Sequence, residues 1–148
     1  MKKRLDDELN KATSIQNAVT DIDVVTITGP GIYDDSLRII DKSWLSPGTT
    51  IVTINGDAHF KHGMLEAVNK IYYDDLPMFD SLTAEGMYPG CKRPFELGDL
   101  LVGNVSGRED EDEIIVSMPG GIGLDDIVAA NRVLEMAISK GLGSVLSV

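Results

Sequence analysis

The chain has 148 residues, enough for a single domain that buries roughly two thirds of its unfolded surface. It is 43% apolar, with mean hydropathy near zero and no apolar run near the ~20 residues of a membrane span. A net charge of −11 opposes nucleic acid and anionic membrane surfaces, because both present phosphates that select a basic face. The start, MKKRLDDELNKA, has no apolar signal core, and the single cysteine, Cys91, excludes an internal disulfide or a multi-cysteine metal site. These features predict a cytoplasmic protein.

In chain order, Leu5, Leu9, Ala12 and Ile15 recur at helical spacing and predict a helix over 3–20. DIDVVTITG (21–29) reads as a strand, rich in β-branched residues and closed by Gly29-Pro30. A short helical turn and an SPG turn follow within 31–48, then a second strand, TTIVTING (49–56). A short helix is predicted over 61–69, a third strand over 70–75 and a helix over 76–85. GMYPGCKRP reads as an irregular loop, 95–105 as a short helix, and EIIVSM (113–118) as a fourth strand. Residues 124–140 form the strongest helical pattern, with a broad apolar set that reads as core, and SVLSV suggests a last strand. Strands alternate with helices, and the strands are near-continuous apolar runs. That pattern predicts an α/β fold, a partial Rossmann-like parallel sheet with helices on both faces, in one domain over 1–148. Ligands of such sheets sit beyond the carboxyl ends of the strands, which directs attention to TGPG, NGDAHFK and MPGGIG.

Asp57 follows the second strand directly. A carboxylate there suits general acid–base work, and equally suits a helix cap or turn. His59, His62 and Glu66 could share one helical face, yet they match no established zinc pattern, so no metal site is expected. Lys92 and Arg93 beside Cys91 would favour its thiolate, but no histidine neighbours it. Ser106 lacks a nucleophile-elbow context, and the strand threonines Thr26 and Thr28 are at home in a sheet. The run Glu109–Glu113 reads as a solvated loop. PGGIGLDD, with glycines 120, 121 and 123, matches neither G-x-G-x-x-G nor the P-loop. Asp125 and Asp126 would repel a phosphate and instead suit the helix's own positive N-terminus. The glycines let backbone pass close to a ligand or to a neighbouring element.

Four stretches, in this order and spacing, resemble one family. They are AVTDIDVVTITG, WLSPGTTIVTINGDAHFKHGML, ELGDLLVGNVSGREDEDEIIV and GGIGLDDIVAANRVLEMAISKGLG. The family is that of ornithine cyclodeaminase and mu-crystallin, and the resemblance runs from about Gln16 to the end. It implies NAD or NADP as cofactor and a small amino or imino acid as substrate. The activity implied is that of a cyclodeaminase, an imino-acid reductase or an amino-acid dehydrogenase. In cyclodeaminase chemistry, hydride leaves the α-carbon, the side-chain amine attacks the resulting imine, ammonia departs and hydride returns. By the same resemblance Asp57 is the acid/base residue. Thr28, Ile54, Asn55, Gly56, Lys61 and Gly120 match cofactor-contacting positions, and Gly121 a position beside the substrate.

The chain departs from the family where Asn55 replaces a glycine and Pro119-Gly120 replaces Ser-Val. No glycine fingerprint for a diphosphate is present. The resemblance therefore places that fingerprint, and the substrate domain with its carboxylate-binding cations, ahead of residue 1. It implies a C-terminal part or subunit, working in a homo-oligomer or with a partner chain that carries the N-terminal half. The rival expectation, from another functional class, is a non-catalytic ligand-binding or assembly module, as in mu-crystallin-like or degenerate relatives.

Overall fold

Short runs of Val, Ile, Thr and Tyr favour extended backbone, because branched and aromatic side chains pack well on a pleated surface. In the computed structural model, which describes residues 10–30 and 34–146, these runs form five strands. They are β1 (Val24–Ile27), β2 (Thr50–Thr53), β3 (Lys70–Tyr73), β4 (Phe95–Glu96) and β5 (Ile115–Ser117). All pair in parallel, in the order β1-β2-β5-β3-β4. The strands therefore end along one crest, where the segments after β1, β2, β3 and β5 meet. Among the described residues no strand pairs with the outer edge of β1.

Burial follows the topology. The strands flanked on both sides carry the most deeply buried residues: Ile51 on β2, Tyr73 on β3 and Val116 on β5. Phe60, Leu65, Phe79 and Met118 complete the same apolar cluster. At roughly 25 cal/mol per Å² of apolar surface removed from water, such side chains supply most of the driving force for folding.

Among the described residues the sheet is accompanied by the α-helices α1 (Ile15–Val19), α2 (Met64–Ala67), α3 (Leu76–Ala84), α4 (Leu97–Leu101) and α5 (Gly123–Ser139), with short 3-10 turns over Asp35–Leu37 and Lys42–Trp44. Side-chain caps fix the starts of α1 and α3. The Ser14 hydroxyl accepts from the Asn17 amide, and Asp75 Oδ1 accepts from the Met78 amide with Pro77 in the first turn.

Several expectations are corrected. Residues 1–9 lie outside the described residues, and the described part of the predicted 3–20 helix is helical only over α1. The predicted 61–69 helix shrinks to α2, because Gly63 takes φ +80°, outside the helical region. The span 95–105 divides into β4 and α4. Residues 144–146 form no strand, and 147–148 lie outside the described residues. The acidic run is partly engaged: Lys70 pairs with Glu109 and, at 3.3 Å, with Glu113. The largest correction is α5. Its helix is where the periodicity put it, but none of its residues is buried. Leu124, Ile127, Val128, Val133, Leu134 and Ile138 are 57% to 70% exposed. Periodicity marks which residues are apolar and leaves open what covers them.

Candidate active site

The turn after β2 is built by its own sequence. The Thr53 hydroxyl donates to the Gly56 carbonyl at 2.8 Å, and Gly56 takes φ +57°, a conformation glycine adopts without steric cost. The Asn55 side-chain amide donates to the Gly29 carbonyl, tying this turn to the segment after β1. The Phe60 amide donates to the Asp57 carbonyl at 2.9 Å. Asp57 thus sits in a turn and caps no helix, since α2 is capped by Gly63.

A second segment is laced to this turn. The Ile39 and Ile40 amides both donate to the His59 carbonyl, at 3.1 and 3.0 Å, and the Lys61 amide donates to the Ile40 carbonyl at 2.9 Å. The lacing delivers Arg38 to Asp57. Arg38 Nη1 lies 3.0 Å from Asp57 Oδ2, 3.0 Å from the Asp57 carbonyl and 3.1 Å from the Phe60 carbonyl. Both side chains are largely buried. Asp57 Oδ1 is also buried, with no hydrogen-bond partner among the described residues. Asp57 and Arg38 line a recess of about 10 Å³ with Phe60, Lys61, His62 and Gly63. Arg38, Lys61 and His62 also line a wider cleft of about 440 Å³.

The other expected positions lie around the same crest. Thr28 and Gly29 line a mostly apolar cavity of about 470 Å³ against the free edge of β1. The His59 ring closes one side of it. His59 is buried, its Nε2 has no partner among the described residues, and it lies so close to Gly29 that a Cβ there would overlap the ring. Ile54 is exposed, and Asn55 and Gly56 hold the turn as described. Lys61 Nζ lies 3.1 Å from Asp41 Oδ2 and 5.7 Å from the centre of the Trp44 ring. Across the crest, Asp74 accepts from the Gly120 amide at 2.8 Å and the Gly121 amide at 2.7 Å. A Cβ on Gly120 would overlap Met78 and Tyr73, so close approach to a neighbouring element accounts for that glycine.

The crest gathers two buried polar atoms without a partner among the described residues, His59 Nε2 and Asp57 Oδ1, which leaves both free for a ligand's ring or a proton, whereas the apolar cavity runs alongside β1 from Val24 to Thr28 and against α1. No diphosphate cradle appears among the described residues, because the amides of Gly120 and Gly121 are already taken by Asp74.

Two expectations fail here. His59, His62 and Glu66 share no helical face, since α2 spans only Met64–Ala67 and His59 lies in the preceding turn. The Cys91 thiol is pushed up to about 11, by burial first and the Asp57 charge second. The neighbouring Lys92 and Arg93 do not activate it. Sequence reasoning also missed Arg38 and Asp74. No local spacing links position 38 to 57 or position 74 to 120. Only strand pairing does.

Sheet order and crest define a Rossmann-like α/β architecture, and solved structures share it. This chain superposes on CmnK with TM-score 0.73, covering 93% of this chain and 42% of CmnK at 23% identity. It superposes on an archaeal alanine dehydrogenase dimer with bound NAD at TM-score 0.70, covering 91% of this chain and 43% of that one at 23% identity. The sequence pattern of the ornithine cyclodeaminase/mu-crystallin family matches residues 1–141, and the chain belongs to that family. A Staphylococcus aureus relative, N-((2S)-2-amino-2-carboxyethyl)-L-glutamate dehydrogenase, is 32% identical in an alignment 116 residues long that covers 73% of this chain. The match spans 34% of that relative's length.

Proposed function

We propose that this chain is the nicotinamide-facing part of an NAD(P)-dependent cytoplasmic enzyme that oxidises, reduces or cyclises a small amino or imino acid. The observation that carries the reading is Asp57. Its carboxylate is buried at the strand crest, with one oxygen held and the other without a partner among the described residues. A carboxylate so placed can take the amine proton as hydride leaves the α-carbon, and return it in the reverse direction. NAD(P) would supply the hydride acceptor and donor. Thr28, Ile54, Asn55, Gly56, Lys61 and Gly120 would face it, and Gly121 would face the substrate. The bound NAD of the archaeal neighbour and the dehydrogenase activity of the staphylococcal relative support this choice.

The diphosphate grip and part of the substrate site belong, in this reading, to another polypeptide segment or to a second copy. The unpaired edge of β1 and the uncovered apolar side chains of α5 support that arrangement. The test uses the assembled enzyme with NAD and L-ornithine, L-alanine or N-((2S)-2-amino-2-carboxyethyl)-L-glutamate. Asp57→Asn is expected to abolish turnover while cofactor affinity stays nearly unchanged. Undiminished turnover would remove Asp57 from the chemistry. Failure of every substrate, with NADH still bound, would favour a ligand-binding module.

A further inference from the structure

We propose that Arg38 is the positioning residue for Asp57, which rests on the reading that Asp57 carries the proton. One guanidinium nitrogen serves three acceptors of a single turn: Asp57 Oδ2, the Asp57 carbonyl and the Phe60 carbonyl. Clamping a side-chain oxygen and the backbone of the same residue together fixes the direction of the carboxylate as well as its place. The clamp is one-sided. It occupies Oδ2 and leaves Oδ1 buried without a partner among the described residues, so the proton is exchanged at Oδ1.

The pair also matches charge where water is excluded, with the Arg38 and Asp57 side chains 12% and 7% exposed. Removing one member of such a pair leaves an uncompensated buried charge. Lysine cannot replace the clamp in full, because its freely rotating ammonium on a flexible stem lacks the rigid guanidinium plane that fixes where the Nη1 hydrogens point. The other charged group on Arg38, Asp35 at 3.5 Å from Nε, is exposed and leaves Nη1 committed to the turn.

The pair itself is read in the full chain carrying 13C at its aspartate carboxyls, with the Asp57 signal assigned through Asp57→Asn. Arg38→Gln is expected to shift that signal, and Asp35→Asn to leave it in place. An Asp57 signal indifferent to Arg38→Gln overturns the proposal.

Its catalytic consequence is read in the assembled enzyme. Arg38→Ala is expected to lower kcat about 100-fold, the scale of a misaligned reacting group, with KM for amino acid and NAD unchanged. Arg38→Lys recovers part of the loss. Millimolar guanidinium restores turnover to Arg38→Ala, and urea, of similar shape without charge, does not. Should Arg38→Ala fail to fold, Arg38→Gln takes its place in the rescue. Equal rescue by both additives or by neither, or full kcat in Arg38→Gln, overturns the positioning role. An active Asp57→Asn enzyme sinks the underlying reading instead. An inactive Asp57→Asn beside a fully active Arg38→Gln sinks only the present inference.

Discussion

Asp57 and Cys91 feel each other through a poorly solvated region, and the thiol reports on the carboxylate. With its pKa near 11, Cys91 holds very little thiolate at pH 8 and should react with a disulfide reagent roughly 100-fold more slowly than an unperturbed cysteine. Asp57→Asn removes the second cause of that shift, so labelling of Cys91 should accelerate. Thiol titration at pH 8 checks both. A rate equal to that of free cysteine would contradict the burial of Cys91. Gly120 makes a second residue-scale case. A methyl there would collide with Tyr73, which is 1% exposed, so Gly120→Ala should cost about 1–3 kcal/mol in urea unfolding, the usual penalty of overpacking. The sequence allowed the glycines either a ligand or a neighbour as the reason for their presence. For Gly120 a neighbour is sufficient, whatever else binds there.

The loop that carries Glu109 and Glu113 is pinned to β3 by Lys70. The Glu113 carboxyl is held below its usual range, by the Glu109 amide first and by Lys70 further down the order of causes. A carboxylate depressed in the folded state stabilises above its unfolded range and loses that contribution as the pH falls through its folded value. Lys70 itself, raised by Glu109 first, stays charged throughout this acid range. The difference in urea midpoint between the native chain and Lys70→Met should therefore be largest near neutrality and narrow below about pH 4.5, within the ordinary glutamate range. A difference that grows toward acid would reverse the assignment. Helix α5 makes the complementary point. Were it core, Ile127→Gln with Leu134→Gln would cost several kcal/mol in the chain alone. As an uncovered helix, it should tolerate the pair within about 0.5 kcal/mol for each change while losing assembly into a larger species. Thermal melts with sedimentation of both forms separate the two cases.

At the scale of the molecule, the described strands are parallel and gather their carboxyl ends on one crest, where Arg38, Asp57, His59 and Asp74 lie, while the Lys70 ion cluster sits at the opposite end of the sheet. The alternation of strands and helices and the place of most helices were legible, though not β4, because backbone preference and apolar periodicity are local properties, written into neighbouring residues. The place of Asp57 was legible in part: the second strand, read over 49–56, forms only over Thr50–Thr53, and Asp57 sits in the turn that follows it. The limits of α1 and α2 were less so, because caps and a single positive φ at Gly63 outweigh the apolar pattern. The amino-acid sequence by itself determined an alternating α/β chain, the place of Asp57 behind β2 and the family it joins. Tertiary structure alone decided that Arg38 clamps that carboxylate, that Asp74 takes the amides of Gly120 and Gly121, and that α5 stands uncovered. The reason is physical. Periodicity encodes which face of an element is apolar, whereas partners far apart in the chain meet only when strand order and register bring the strand ends together.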